Sequence, residues 1–329
     1  MPPPAPESAP ASGRAAVRIG ISACLLGQRV RYDGGHKRQD SLVETVGRHV
    51  EWVPVCPEVE LGLGTPRPTL RLEGPPGDLR LVMPSRGEDL TRRMRRWAKA
   101  RVRALGREEL AGFVLKKGSP SCGVARLPVY GESGRRTRRD GVGFFAAALL
   151  EAFPDLPVEE EHRLCDPALR ESFFVRVFAT QRLRGLFRPR WRLEELEAFH
   201  EREKLLLLAH DPAGRRSLGQ LVARGTELPR AELAARYRKG FAQALARRAT
   251  VAKHAKVLRR CLGYFERRLD AGERAELSAC IADYRRRLVP LVVPVTRIKH
   301  CARRFALDSL LAQSYLDPHP QELMLRNHA

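Results

Sequence analysis

Three cysteines share one local context: Cys24 follows the apolar run VRIGISA, Cys56 follows EWVPV, and Cys122 follows AGFVL after the short loop KKGSPS. Each run reads as a strand, so each thiol is expected just past a strand's C-terminal end, the edge at which open α/β sheets bind ligands. Three soft thiolates brought to one edge select zinc or an iron–sulfur cluster over hard cations. None of the spacings is a CxxC, and the pattern leaves a second reading open, in which all three are buried as small hydrophobes. The Gly, Pro and Ser residues beside them favour turns over apolar core.

The elements that must position these residues are legible as an alternation. From Val17 to about Phe187 the runs VRIGI, EWVPV, DLRLV and AGFVL alternate with helical patterns, which predicts an α/β N-terminal domain with a largely parallel sheet. DLTRRMRRWAKARVRAL repeats at 3.6 residues through Leu90, Met94, Trp97 and Val102 and predicts an amphipathic helix. GVGFFAAALLEAF and PALRESFFVRVFATQRL, with Pro167 in a first turn, predict two more that cover the sheet. After Pro189 strand signals stop, and an all-α C-terminal domain is expected. There Thr250 is an expected N-cap for a helix whose buried face holds Val251, Ala255, Leu258, Leu262, Phe265 and Leu269, and Asp270 with Glu273 reads as a capping box. The boundary is placed near 185–192, giving domains 17–187 and 188–329 behind a Pro/Ala/Ser-rich tail, 1–16, expected to be disordered.

The chain has 329 residues, enough for two cores, and a net charge of +22. Basic residues outnumber acidic ones 29 to 22 up to residue 180 and 31 to 16 beyond it, so the excess is concentrated in the helical half. Such an excess favours polyanions, nucleic acid above all. The tail lacks the apolar run of a secretory signal, and LVPLVVPV is too short and too broken by proline for a membrane span. Seven cysteines without an export signal point to reduced thiols or metal ligation in the cytoplasm. No feature calls for an obligate protein partner.

The blocks ISACLLGQRVRYDGGHK, PVCPEVELGLGTPRP and KKGSPSCG resemble the three signature blocks of the thiouracil desulfurase (TudS-type) family. FHEREKLLLLAH, KHAKVLRRCLGYFERRL, DYRRRLVPLVVP and YLDPHPQELMLRN are similar to the YbgA-type domain, in the order seen in fused tRNA 4-thiouridine desulfidases. The resemblance implies that Cys24, Cys56 and Cys122 each bind one iron of a 4Fe-4S cluster, with the fourth iron free of protein. Many relatives carry another cysteine where this chain has Val30, which three sufficient ligands make dispensable. The resemblance also implies roles for Glu58 and for Ser119 or Ser121. Water deprotonated by Glu58 would attack a thiocarbonyl carbon, and sulfur would leave as hydrosulfide without net electron transfer. On its own, Glu58 reads first as a helix-N-terminal or solvated carboxylate, and the serines read as turn formers around Pro120.

On this reading tRNA is the partner and 4-thiouridine the substrate, converted to uridine. The alternatives are action on free thiouracil or a thionucleoside, or a nucleic-acid-binding protein with a structural metal. Asp33 and Gly34 suit a tight turn whose amides could meet a phosphate or base, and Lys37, Arg67 and Lys117 flank the blocks as further substrate contacts. Lys253, Lys256, Arg259 and Arg260 occupy the polar side of a helix and are the expected RNA contacts. Cys165, Cys261, Cys280 and Cys301 are assigned to no cluster, and His254 to a structural role.

Overall fold

Strands buried on both faces read as unbroken apolar runs, and the computed structural model, which describes residues 16–131 and 133–328, brings three such runs side by side. The tail expected at 1–16 lies, Ala16 apart, outside the described residues. Among these the strands are β1 (Arg18–Ser22), β2 (Glu51–Val55), β3 (Arg71–Glu73), β4 (Arg80–Met83), β5 (Glu88–Asp89), β6 (Gly112–Leu115), β7 (Leu127–Tyr130), β8 (Arg136–Gly141) and β9 (Val158–Glu160). The first sheet is wholly parallel, in the order β2-β1-β6-β9, with Ser22 opposite Val55 and Ile21 opposite Val114. The second, β5-β4-β3-β7-β8, is mainly antiparallel. DLRLV, expected in the parallel sheet, supplies β4 of this second one.

Ile19, Ile21, Phe113, Val114 and Leu115 are fully buried in the parallel sheet. Gly20 sits where any Cβ would lie 2.1 Å from the Phe113 ring, so the closeness of β1 to β6 demands glycine there. Helix α1 (Pro57–Glu60) follows β2, and α2 (Thr91–Leu105) and α3 (Phe144–Ala152) pack together, Phe145 meeting both Trp97 and Phe113 edge-on or tilted at 5.6 and 5.7 Å. Met94, Ala98, Val102 and Leu105 form the buried stripe of α2, worth roughly 1.5–3 kcal/mol for each large side chain.

Two compact units result, one running to Phe153 together with Val158–Glu161, the other comprising Pro154–Pro157 and everything from His162. The boundary expected near 185–192 therefore falls earlier. Helix α4 (Pro167–Leu186), expected to cover the sheet, lends Val175, Ala179 and Leu183 to the helical core, and Asp166 caps it through the amides of Ala168 and Leu169. That core also takes α5 (Leu193–His210), α6 (Pro212–Ala223), α7 (Arg230–Ala246), α8 (Val251–Leu262), α9 (Ala271–Arg285), α10 (Val292–Arg304) and α11 (Asp308–Leu311). Thr250 caps α8 and the Asp270/Glu273 box caps α9, as read. Helix α8 stops at Leu262 and turns, with His254, Ala255, Val257, Leu258 and Cys261 buried; of the expected face, Phe265 is buried beyond the helix end, while Val251, Leu262 and Leu269 are partly buried against the same core. No helix of the described residues is long and apolar enough to cross a membrane.

The YbgA-type blocks prove to carry a buried polar framework. Glu203, fully buried, accepts two bonds from Arg182 at 2.7 and 3.0 Å and one from Ser314 at 2.7 Å. Arg326 pairs with Glu171 at 3.1 Å and donates to the Tyr315 carbonyl at 2.6 Å. Three histidines are buried within this unit. Burial pushes His210 down to about 4, with nearby Lys253 adding to the effect while its Nδ1 lies 2.8 Å from the Arg247 carbonyl oxygen. His319 is likewise down to about 4 through burial and Arg326, with Arg182 and Asp317 also facing it, and His254, bonded to Tyr315, lies well below its usual value through burial, then Arg326.

Between pH 6.5 and about 4 the unfolded chain binds protons that the native unit refuses, so stability is complete above that window and falls as pH drops through it. Each histidine contributes up to about 1.4 kcal/mol per pH unit. Thermal unfolding of the intact protein followed by circular dichroism should therefore show a clear loss of helical stability from pH 7 to pH 5, and His210→Gln should flatten the dependence. A Tm unchanged over that range would contradict this account.

Candidate active site

In the order β2-β1-β6-β9 the chain passes from β1 outward to β2 and later re-enters the sheet on β1's other side as β6, and the switch point between β1 and β6 opens a crevice beyond the strand ends. Cys24 lies in the short 3-10 turn directly after β1, Cys56 is the N-cap of α1 directly after β2, and Cys122 ends the loop that leaves β6. The three cysteines expected at this edge are thus brought to it. Cys24 and Cys122 are buried, Cys56 half-buried, and all are free thiols that feel one another's charge.

Backbone bonds set each thiol. The Cys24 carbonyl accepts from the amides of Gly27 and Lys37 at 3.3 and 2.9 Å. Glu60 accepts from the Cys56 amide at 3.2 Å and is itself paired with Arg101. Ser119 Oγ accepts from the amides of Ser121 and Cys122, both at 3.2 Å, closing the turn before the third thiol. The Ser121 carbonyl in turn accepts from Phe145 and Ala146 in the first turn of α3 at 2.9 and 3.1 Å. A Cβ on Gly143 would sit 2.5 Å from that carbonyl, so glycine lets the Cys122 loop lie on the helix end.

Glu58 is buried at the centre of this arrangement. One carboxylate oxygen accepts from Ser119 Oγ at 3.3 Å, and the other lies 3.6 Å from Cys56 Sγ and 3.8 Å from Arg67. Arg67 was expected to meet substrate, but its side chain is only 6% exposed and donates to the carbonyls of Val30 and Gly64 at 3.0 and 2.9 Å, so it braces Glu58. Ser119 touches Glu58, whereas Ser121 is fully buried with its hydroxyl unpartnered. Asp33 is exposed and accepts from the Gly35 amide at 3.0 Å beside Arg31, with Gly34 at φ 73°, which is the tight turn expected there. Lys37 and Lys117 are exposed on the rim.

Several residues of the site escaped the sequence reading. Ser22, buried at the end of β1, accepts from the Lys116 amide at 2.9 Å and directs its hydroxyl to the Cys122 sulfur. Glu161 pairs with Lys116 and accepts from the Lys117 amide at 2.6 Å, while Glu160 accepts from the Val124 amide at 2.8 Å. A polar residue ending a buried strand was the available signal for Ser22; the EEE run at 159–161 looks like a solvated charge cluster. Lys253, expected on RNA, donates to the carbonyls of His210 and Arg248 at 2.7 and 3.0 Å and is taken up by the fold, while Lys256, Arg259 and Arg260 are exposed along one side of α8.

Burial raises Cys24 to about 11, against the pull of Lys116, and burial with Glu58 raises Cys56 to about 12 and Cys122 well above the usual thiol value. Thiols so held are poor free nucleophiles and suit a metal that displaces their protons. Among the described residues no three His, Cys, Asp or Glu side chains stand close enough to share one metal ion. A multi-iron cluster takes its thiolates one to an iron, so three soft donors on three separate loops fit such a group.

Residues 19–161 match the model of the family described as 2-thiouracil desulfurase, and residues 204–320 match that of DUF1722, a family of unknown function. The chain is 32% identical over 158 residues to the uncharacterized protein YbgA of Escherichia coli (strain K12), spanning 48% of this chain and 94% of that protein. It is 31% identical over 137 residues to the uncharacterized protein YbbK of Bacillus subtilis (strain 168), spanning 40% and 87%. A solved structure of a [4Fe-4S]-dependent thiouracil desulfidase, TudS, shares 35% identity over 47% of this chain and 97% of its own, with a TM-score of 0.39.

Proposed function

From the chain's membership of the 2-thiouracil desulfurase family, joined to a DUF1722 domain, we propose that it is a cytoplasmic iron–sulfur desulfidase acting on thiolated uracil in tRNA, with 4-thiouridine as substrate and uridine as product. One observation carries the reading: a buried carboxylate, Glu58, lies against one of three thiols gathered at a sheet's switch point and is bonded to the serine that positions another. Cys24, Cys56 and Cys122 would hold a 4Fe-4S cluster. When bound, it supplies a Lewis-acidic iron with an open position suited to a soft thiocarbonyl sulfur. Glu58 takes a proton from the attacking water, Ser119 and Arg67 keep its carboxylate in place, and Ser22 fixes Cys122. Oxygen bonds to the carbon, the carbon–sulfur bond breaks, and sulfur leaves as hydrosulfide, with no electrons gained or lost.

The helical unit supports RNA as the carrier of the thiobase, since it holds most of the positive charge and presents Lys256, Arg259 and Arg260 to solvent. Anaerobic incubation of cluster-loaded protein with bulk tRNA, followed by nucleoside analysis, should show 4-thiouridine lost and uridine gained. A chain ending at Glu161 should still desulfurate 2-thiouracil yet act weakly on tRNA. Unchanged 4-thiouridine alongside rapid consumption of 2-thiouracil would assign the enzyme to free bases.

A further inference from the structure

A cleft of about 660 Å³ opens within the helical unit between the first turns of α4 and α8 and the end of α9, a volume typical of ligand sites. Two of the YbgA-type blocks, KHAKVLRR and DYRRRLVPLVVP, meet in its wall through His254 and through Tyr284 to Leu291, and the desulfidase reading gives none of these lining residues a task. His254 and Tyr284 line it from below, while Arg248, Arg287 and Leu288 stand at its mouth. Its carboxylates are already engaged, Asp166 by the amides of α4 and Glu171 by Arg326. Arg248 and Arg287 make no ion pair among the described residues. Lys253 ties down the Arg248 carbonyl, so the loop bearing that arginine is held in place.

The end of α9 breaks two rules at adjacent positions. The Arg287 amide donates to the Tyr284 carbonyl at 2.9 Å and the Leu288 amide to that of Asp283 at 3.0 Å, a hook whose turning residue is ordinarily glycine. Arginine holds it instead, at φ 63°, a left-handed conformation unfavourable to any side chain. The next residue, Leu288, is 66% exposed. Together with two unpaired guanidiniums over a polar floor, both anomalies make sense if a ligand with an anionic and a flat apolar part seats there.

We propose that this cleft binds one nucleotide step of the RNA substrate, Arg248 and Arg287 holding its phosphate and Leu288 lying against its base. The inference rests on the RNA reading of the helical unit. Guanidinium suits phosphate through its fork of donors, and a base face accepts apolar contact without regard to sequence.

The test uses the full-length protein and fluorescein-labelled tRNA, with anisotropy measured at several KCl concentrations. Arg287→Gly should raise Tm, because glycine suits the hook, and at the same time weaken binding about tenfold, since a charge-assisted phosphate contact is lost. Arg248→Gln, on a loop outside any helix, should weaken binding to a similar extent, and each arginine variant should flatten the slope of log K against log salt by about 0.7 to 0.9. Leu288→Ser should weaken binding with the slope unchanged. If Arg248→Gln and Arg287→Gly bind as the parent does, while Lys256→Gln with Arg259→Gln and Arg260→Gln binds poorly, the cleft is overturned and the RNA reading stands. If the parent protein binds no tRNA, both fall.

Discussion

Serine in place of Cys24, Cys56 or Cys122 will yield protein that cannot be loaded with iron, lacks the brown cluster absorption and has no desulfidase activity. Each thiol is set by its own loop, after β1, β2 and β6. Cys261 is buried in the helical core, and Cys280 and Cys301 belong to the same unit. An alkoxide is a far poorer partner for iron than a thiolate, so serine should not rescue the site despite its similar size. Cys280→Ser is the control and should load normally, since that residue faces the helical unit. Iron and sulfide content measured on anaerobically reconstituted samples decides the matter. Full iron in any of the three variants would remove that cysteine from the ligand set.

The second large effect concerns Glu58. Glu58→Gln preserves shape and can still accept from Ser119 Oγ, but it cannot take a proton from water. General-base assistance is worth about 10²- to 10⁴-fold, so turnover per loaded cluster should fall in that range, with the loss in kcat. Iron content should hold. The competing account makes Glu58 a scaffold for Cys56, which lies 3.6 Å from its carboxylate, and predicts the reverse: fewer loaded clusters, each of near-normal activity. Measuring iron and turnover on one anaerobic sample separates the two. Normal turnover per cluster would exclude Glu58 from proton transfer.

How far the sequence spoke for this arrangement depended on burial and distance. The parallel strands were legible because both faces are covered, leaving unbroken apolar runs such as RIGIS and GFVL, and the cysteines followed from their ends. The second sheet was not, because β3 has three residues and β8, RTRRDG, is mostly polar and exposed. Helix α4 was seen as a helix, but its residues are buried nearly all round, from Phe173 to Ala179, and a pattern without a polar face does not say against which core it packs. At the site, the residues that act locally were found, while the bond from Ser119 to Glu58 joins positions 61 apart and that from Lys116 to Ser22 joins positions 94 apart. Lys253 had the charge expected of an RNA contact; only the fold reveals the carbonyls that claim it.

The placement of β9 has a consequence for the order in which the protein is made. Pro154–Pro157 count with the helical unit, yet the chain returns for Val158–Glu161 to complete the parallel sheet before leaving at His162. A nascent chain that has not yet released these residues from the ribosome has an open edge along β6. It also lacks Glu160 and Glu161, whose carboxylates hold the amides of Val124 and Lys117 on either side of Cys122. The last thiol loop therefore locks only when residue 161 emerges, and almost nothing of the helical unit has emerged by then. Synthesis from N- to C-terminus thus delivers a finished thiol site first and its basic helical partner afterwards.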